Sequence, residues 1–349
     1  MVAPKFLPDG SCNKIRCDGI EKKMGIKGSA TSAMSFEGAT GWLVGEPHKG
    51  LTAMFVMMNS ARLHVAMQGL GHLEMAQQNA HAYASERVQG KANGKAGTID
   101  QHPAVRRNLW SLRSLCEGER VVAYWTAQLL DEAHSHPDAA QRAKAEDLVA
   151  PLTPVAKAFF TDNGNRGANE ALQVWGGYGY VHEYGIEQTV RDSRIAMIYE
   201  GTNEIQAIDL LLRKIMPDGG AKLIALLAVL EQELELGAGV PELKEFIEAL
   251  SDQIAATRAA VGALLAAREA DPDWSLRVAD DFLRGLGFTL LAWAWAWARS
   301  ARIALPQVAD AWYADKVKAA RFGVQWLLPE ASYRWQRVMA RNAILPEIS

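Results

Sequence analysis

The chain has 349 residues, 49% of them hydrophobic and 22% charged, and a formal net charge of −3. That is the profile of a packed globular protein, long enough for two domains or for one large helical body with an annex. Acidic and basic residues are interspersed, without the concentrated basic surface that nucleic acid requires. Three cysteines, Cys12, Cys17 and Cys116, make no even disulfide framework and point to a reducing, cytoplasmic setting.

Residues 1–5 hold no long apolar stretch ahead of the Pro8-Asp9-Gly10 turn, so no secretory leader is expected. Residues 1 to about 46 read as β and turn, with short runs at 5–7, 34–36 and 42–44 between glycine and proline punctuation. This is too little sheet to close on itself, and the chain is expected to begin inside a β domain. From Gly50 the period changes. Leu51, Met54, Phe55 and Met58 sit at helical spacing, and the pattern continues through Val65, Leu73, Ala76 and Tyr83 to Arg87, where Gly90 ends it. A helix of about 38 residues would span about 57 Å.

Further helices are expected at about 103–133, 139–163 and 169–175, with 176–185 as loop. Thr202 or Asn203 caps a helix that runs to Ile215. Pro217-Asp218-Gly219-Gly220 reads as a linker, and Ala/Leu-rich helix follows it, broken near 237–239, at 271–273 and at Pro306. Trp293, Trp295 and Trp297 alternate with alanine. Period two would suggest a strand, but alanine and helical flanks outweigh it, and three rings fanned around a helix require burial on several sides. The longest apolar run, 288–298, is about half a membrane span, so no membrane partner is expected.

The chemistry-bearing residues are few. Glu200 stands in Tyr199-Glu200-Gly201-Thr202, where an apolar segment ends and a helix begins. A carboxylate there is either a helix-dipole partner or a base that acts on a substrate, with Gly201 allowing another group close. Upstream lies Gln173-Val174-Trp175-Gly176-Gly177-Tyr178-Gly179-Tyr180, rich in glycine and aromatics. It lacks the spacing and βαβ setting of a Rossmann fingerprint. Arg87 at the end of the long helix is either a solvated, dipole-favoured arginine or an anion ligand, and Arg62 is either a buried arginine paired with a carboxylate or a substrate contact. His134 and His136 have no nearby acids or cysteines, Cys12 and Cys17 no histidines, and no metal site is expected.

In order and spacing, the Gln173–Tyr180 and Arg191–Gln206 segments resemble the C-terminal half of the acyl-CoA dehydrogenases. The resemblance implies a mainly α fold: a partial β-domain remnant (1–48), a helical bundle (49–216) and an additional C-terminal helical domain (217–349). The last of these, with Pro4–Gly10 and Phe55–Arg62, is similar to the longer branch that includes enzymes acting on 3-(methylthio)propanoyl-CoA. It further implies FAD as cofactor and an acyl-CoA substrate, whose α-proton Glu200 removes while hydride leaves the β-carbon for the flavin. In that family the glutamate's own amide helps grip the thioester carbonyl beside Gly201. Thr202 and Glu204 would line the flavin. Gln173, Gly177 and Arg87 would meet the adenosine diphosphate end across a subunit boundary, and Arg62 would help position the substrate. Arg191 and Asp192 match a pair that is mainly structural.

Relatives carry an N-terminal helical domain and most of a β-barrel before the point where this chain begins. A truncated or split member is therefore expected, unable to retain FAD alone and exposing apolar surface on residues 1–46. The partners implied are an electron-transfer flavoprotein or similar acceptor, and either further copies of the chain or a chain with the missing half. A non-catalytic helical oligomerisation module is the alternative, and a DNA-binding flavoprotein of the same fold the third, weakened by the near-neutral charge.

Overall fold

The structure, a computed structural model, describes residues 1–92, 94–297 and 311–341; the side chains of 51–53, 55–59 and 92 lie outside that description, as does the expected break at Pro306. The chain divides into two compact units, Met1–Ala61 and Arg62–Ser349.

The first unit holds one antiparallel strand pair, β1 (Ile15–Ile20) and β2 (Ser32–Phe36), with Ile15 opposite Phe36 and an irregularity between Cys17 and Gly19. The runs expected at 5–7 and 42–44 are not strands; each makes only an isolated bridge, Phe6 with Cys12 and Trp42 with Val2. The buried side chain of Asn13 organises this segment. Its amide donates to the carbonyls of Pro4 and Thr40, and its oxygen accepts from the Thr40 amide. Such a pair has no core of its own, and Met1, Val2, Phe6, Ile20, Phe36, Trp42, Leu43 and Val44 are exposed.

The long helix α1 (Gly50–Glu86) leads into the second unit. There Leu63, Ala66, Leu70, Leu73, Ala76, Ala80 and Ala84 are buried at steps of three and four residues, a seam facing the core. The helix ends at Glu86 rather than Arg87. A β-hairpin that the periodicity did not indicate follows, β3 (Val88–Ala92) with β4 (Lys95–Thr98), Val88 opposite Thr98.

Helices α2 (Pro103–Ser135) and α3 (Ala139–Trp175) pack against each other. The two helices expected at 139–163 and 169–175 are thus one continuous helix of 37 residues. Gly164 and Gly167 do not break it. A Cβ on Gly164 would lie 2.4 Å from the Gly69 carbonyl oxygen, and one on Gly167 2.3 Å from Leu73 Cδ1, so these glycines let α1 and α3 cross at backbone contact. The expected loop at 176–185 contains a helical turn, α4 (Gly177–Tyr180), and a 3₁₀ turn at His182–Tyr184. Helices α5 (Ile186–Ser193) and α6 (Asn203–Asp209) follow, and α6 passes into a π-helical turn at Leu210–Ile215.

Beyond it come α7 (Ala221–Gly237), α8 (Lys244–Ala266), α9 (Trp274–Ala296), α10 (Ala311–Phe322) and α11 (Pro329–Met339). Of the alternating tryptophans, Trp293 and Trp295 are helical and buried, whereas Trp297 is the half-buried residue that ends α9; residues 288–296 are all buried, and Trp295 Nε1 donates to the Ser114 carbonyl of α2 at 3.1 Å. Close approach again selects glycine, since a Cβ on Gly287 would lie 2.5 Å from Phe159 of α3. One hydrophobic core therefore runs through α2, α3 and α9. Among the described residues no helix is long and apolar enough to cross a membrane.

Candidate active site

Two groups of the expected residues lie at different points along α3. The first surrounds Glu200. Helix α5 ends in a 3₁₀ turn at Arg194–Met197, and the chain then turns through Glu200 with φ 54° and Gly201 with φ 88°. A left-handed backbone is ordinary for glycine but costs a glutamate about 1–2 kcal/mol, so the surroundings must hold it.

They do so from two sides. Gln206, fully buried on α6, donates from Nε2 to the Glu200 carbonyl at 3.1 Å. Lys157, fully buried on α3, donates from Nζ to the Gly201 carbonyl at 2.7 Å and to Asn203 Oδ1 at 2.9 Å. Burial lowers the Lys157 ammonium to about 8, with the Asp162 carboxylate pulling the other way. Asn203 Nδ2 donates to Asp162 Oδ1 at 2.8 Å and to the Ala158 carbonyl at 3.1 Å. Asp162 meets Arg284 of α9 at 2.5 Å, and burial pushes its carboxyl up against the pull of that guanidinium.

Gly201 is required twice over: by its φ, and because a Cβ there would lie 2.7 Å from Gln206 Nε2. Thr202 is the N-cap of α6, its hydroxyl accepting from the Ile205 amide at 3.4 Å. Glu200 itself is half-buried and Glu204 exposed. Arg62 is buried and paired with Asp209 at 2.9 Å, the ion-pair account that the sequence left open.

The second group lies at the C-terminal end of α3, about 27 Å along the helix axis from Lys157. Arg87, the first residue after α1, places its guanidinium 5.0 Å from the centre of the Tyr178 ring, and its buried Nε has no hydrogen-bond partner. Tyr83 stacks on Trp175 at 4.1 Å, and Tyr184 packs against both Trp175 and Tyr178. Gln173 and Gly177 are exposed beside this cluster. Arg191 pairs with Glu187 one helical turn back, at 2.5 Å. Glu200, Gly201, Thr202 and Glu204 thus come together, Arg87, Gln173 and Gly177 come together, and the two sets stand apart.

Sequence reasoning missed Lys157, Gln206, Asn203, Asp162 and Arg284. The one available signal was a lone lysine inside the apolar run Val155–Phe160, a charge that burial makes costly unless it is paired.

Residues 48–215 match the family model for the acyl-CoA dehydrogenase C-terminal domain. Residues 223–348 match the model described as acetyl-CoA dehydrogenase C-terminal like. A 3-methylmercaptopropionyl-CoA dehydrogenase of Ruegeria pomeroyi is 37% identical over 97% of this chain and 59% of its own length. A broad-specificity linear acyl-CoA dehydrogenase of Mycobacterium tuberculosis is 33% identical over 93% of this chain and 58% of its own. The chain therefore spans less than two thirds of the length of these curated relatives. The fold is shared with an acyl-CoA dehydrogenase from Bacillus anthracis, solved as a complex with FAD, at a TM-score of 0.77 and 23% identity over 93% of this chain and 56% of that one. Fold, motif order and both domain matches agree: the chain belongs to the acyl-CoA dehydrogenase family.

Proposed function

We propose that this chain supplies the catalytic base for FAD-dependent α,β-dehydrogenation of an acyl-CoA thioester, with Glu200 taking the α-proton. The observation that carries the reading is the turn itself. A half-buried glutamate is held in a left-handed backbone by two buried side chains, Lys157 and Gln206, an arrangement that costs stability. A backbone fixed in this way sets where the Glu200 side chain starts from when a substrate arrives, which favours its use as a general base. The Glu200 amide, beside a glycine with no side chain, is the donor suited to a thioester oxygen.

The residues at the end of α3 fit the phosphate and adenosine end of FAD. Arg87 offers a buried, unpartnered Nε–H to an anion, and exposed Gly177 and Gln173 leave backbone and amide groups within reach of it. When bound, FAD would accept the hydride that leaves the substrate β-carbon. The two sets of residues meet α3 at points about 27 Å apart along its axis, at Lys157 and at Trp175, which favours two copies of the chain sharing each cofactor, one contributing Glu200, Thr202 and Glu204, the other Arg87, Gln173 and Gly177. Arg62, locked to Asp209, would act by supporting the π-helical turn and α6 rather than by reaching substrate. An electron-transfer flavoprotein or similar acceptor would reoxidise the flavin, in the cytoplasm.

The test is acyl-CoA-dependent reduction of a dye with FAD added, by the chain alone and mixed with an N-terminal fragment of the Ruegeria relative. Turnover should appear in at least one arrangement. Glu200→Gln should then lower it by about two orders or more while acyl-CoA still binds. Near-normal turnover in that variant would remove Glu200 from the role, and no turnover in either arrangement would overturn the proposed activity.

A further inference from the structure

Lysine at position 157 is expensive where it stands. It is fully buried on α3, where a leucine would pack without any charge to desolvate. Its ammonium donates to two acceptors, the Gly201 carbonyl at 2.7 Å and Asn203 Oδ1 at 2.9 Å. The first exists because Glu200 and Gly201 are both left-handed, which turns the Gly201 carbonyl inward. Without Lys157, among the described residues, that oxygen keeps a long contact, 3.4 Å, from Gln206. A turn with an orphaned buried carbonyl and a strained glutamate relaxes most easily by returning Glu200 to negative φ, which re-aims its side chain.

The network continues outward through a hydrogen bond and then an ion pair. Asn203 Oδ1 accepts from Lys157 while its Nδ2 donates to Asp162 Oδ1, and Asp162 Oδ2 meets Arg284 Nη2 at 2.5 Å. Arg284 lies on α9, within the stretch that matches the second family model. It is held there by Asp280, one turn earlier, at 2.8 Å. If Arg284 is absent, Asp162 becomes a buried carboxylate without its ion-pair partner; of the cations on the same helix, Arg166 is tied to Glu170 and Glu330, whereas Lys157 already shares Asn203 with Asp162. Drawing Lys157 toward Asp162 takes it off Gly201.

We propose that Lys157 is the positioning residue for Glu200, and that Arg284 of the C-terminal helical layer governs its grip through Asp162 and Asn203. The layer formed by α7–α11 then has a task in the reaction, as the outer anchor of the buried chain that sets the base. The catalytic meaning of this assignment rests on the dehydrogenase reading; the mechanical part does not.

The experiment is amide hydrogen exchange of the intact chain, with neither flavin nor acyl-CoA, followed peptide by peptide. Lys157→Met should raise exchange across 198–204 about tenfold, and Arg284→Met about three- to fivefold, with the α7 peptide unchanged. Arg284→Lys, which restores the cation, should bring 198–204 back to within about twofold of the parent. Arg284 is one quarter exposed, so its variants carry the test even where Lys157→Met does not fold. No change at 198–204, a rise shared equally by α7, or no rescue by lysine overturns the proposal. In an assembly with turnover, Arg284→Met should lower kcat with KM for acyl-CoA held within about twofold. An assembly that never turns over counts against the dehydrogenase reading alone, because the exchange result is obtained without it.

Discussion

The two halves of the candidate site, both attached to α3, are built on opposite plans. At residues 199–206 the Glu200 and Gly201 carbonyls are held by two buried side chains, so the strained Glu200 backbone is fixed before any ligand is present. At residues 173–184 Gly176 and Gly177 are open, Tyr178, Tyr180 and Tyr184 are exposed, and Arg87 keeps a buried N–H without a partner. The difference separates two tasks. A group that must move a proton gains from being fixed in advance, whereas a surface that receives a large ligand or a second subunit gains from unsatisfied groups that the newcomer completes. If that contrast is real, substitutions in the first region should cost stability, and those in the second should cost binding.

The largest stability effect is expected at Gly201. Alanine there meets a left-handed backbone and Gln206 Nε2 at 2.7 Å, so it pays conformational strain and displaces the amide that holds the turn. Together these come to about 3 kcal/mol, to be read from the midpoint of urea unfolding at unchanged slope. A loss below about 1 kcal/mol would show that the turn is softer than its hydrogen bonds suggest.

Lys157 should give the next largest effect, and it has a pH signature. The folded protein holds its pKa at about 8 against 10.5 for a free lysine. Above pH 8 the folded chain gives up this proton while the unfolded chain keeps it until about 10.5, so the contribution of this group to stability rises with pH across that window. Below pH 8 the cost of keeping the ammonium buried is fully present. The groups that act on it are Asp162, Arg62, Glu204 and Glu200. Lys157→Met should therefore flatten the stability–pH curve of the parent between pH 8 and 10.5 by about 2 kcal/mol, less than full conversion of the shift because part of the surroundings is polar. Parallel curves for parent and variant would show that the buried ammonium is not the titrating group.

How much of this contrast is visible in the sequence depends on how local the cause is. The helices come from periodicity, and Thr202 as a cap and Gly201 as a position needing freedom follow from their own neighbours. The hairpin at 88–98 was lost because its strands are short and do not alternate, although Asn93-Gly94 is a hairpin signal in the sequence. Gly164 and Gly167 looked like helix breakers because their reason is another helix, with Gly69 and Leu73 far away along the chain. Lys157 lies 44 residues from the carbonyl it holds, and nothing near it in sequence announces the partner. Glu200 could be found by its motif, but what holds it there could not.

Arg87 tests the open half. Its contact with Tyr178 is a partly exposed cation–π pair, so Arg87→Ala should cost about 1 kcal/mol of stability or less. The same change should weaken binding of FAD, or of ADP as a probe of its phosphate end, about tenfold or more in a dialysis or fluorescence titration, because a charge-assisted hydrogen bond is lost. A large stability loss with unchanged nucleotide binding would make Arg87 a structural residue, the other account that its position at the end of α1 allowed.

The smallest effect is expected at Gly177, and it is the sharpest control on Gly201. Gly177 begins the helical turn α4, its backbone is not left-handed, and a Cβ built on it meets nothing within 4 Å. Alanine is a better helix former than glycine and reduces the freedom of the unfolded chain, so Gly177→Ala should change stability by no more than about 0.5–1 kcal/mol, in the stabilising direction. If the segment exists to let a cofactor's phosphates come close to the backbone, the added methyl should nevertheless weaken FAD or ADP binding, separating the two readouts at one atom. Gly201→Ala should show the reverse order, with stability lost first. Equal behaviour of the two glycines in both measurements would remove the division between a held turn and an open surface.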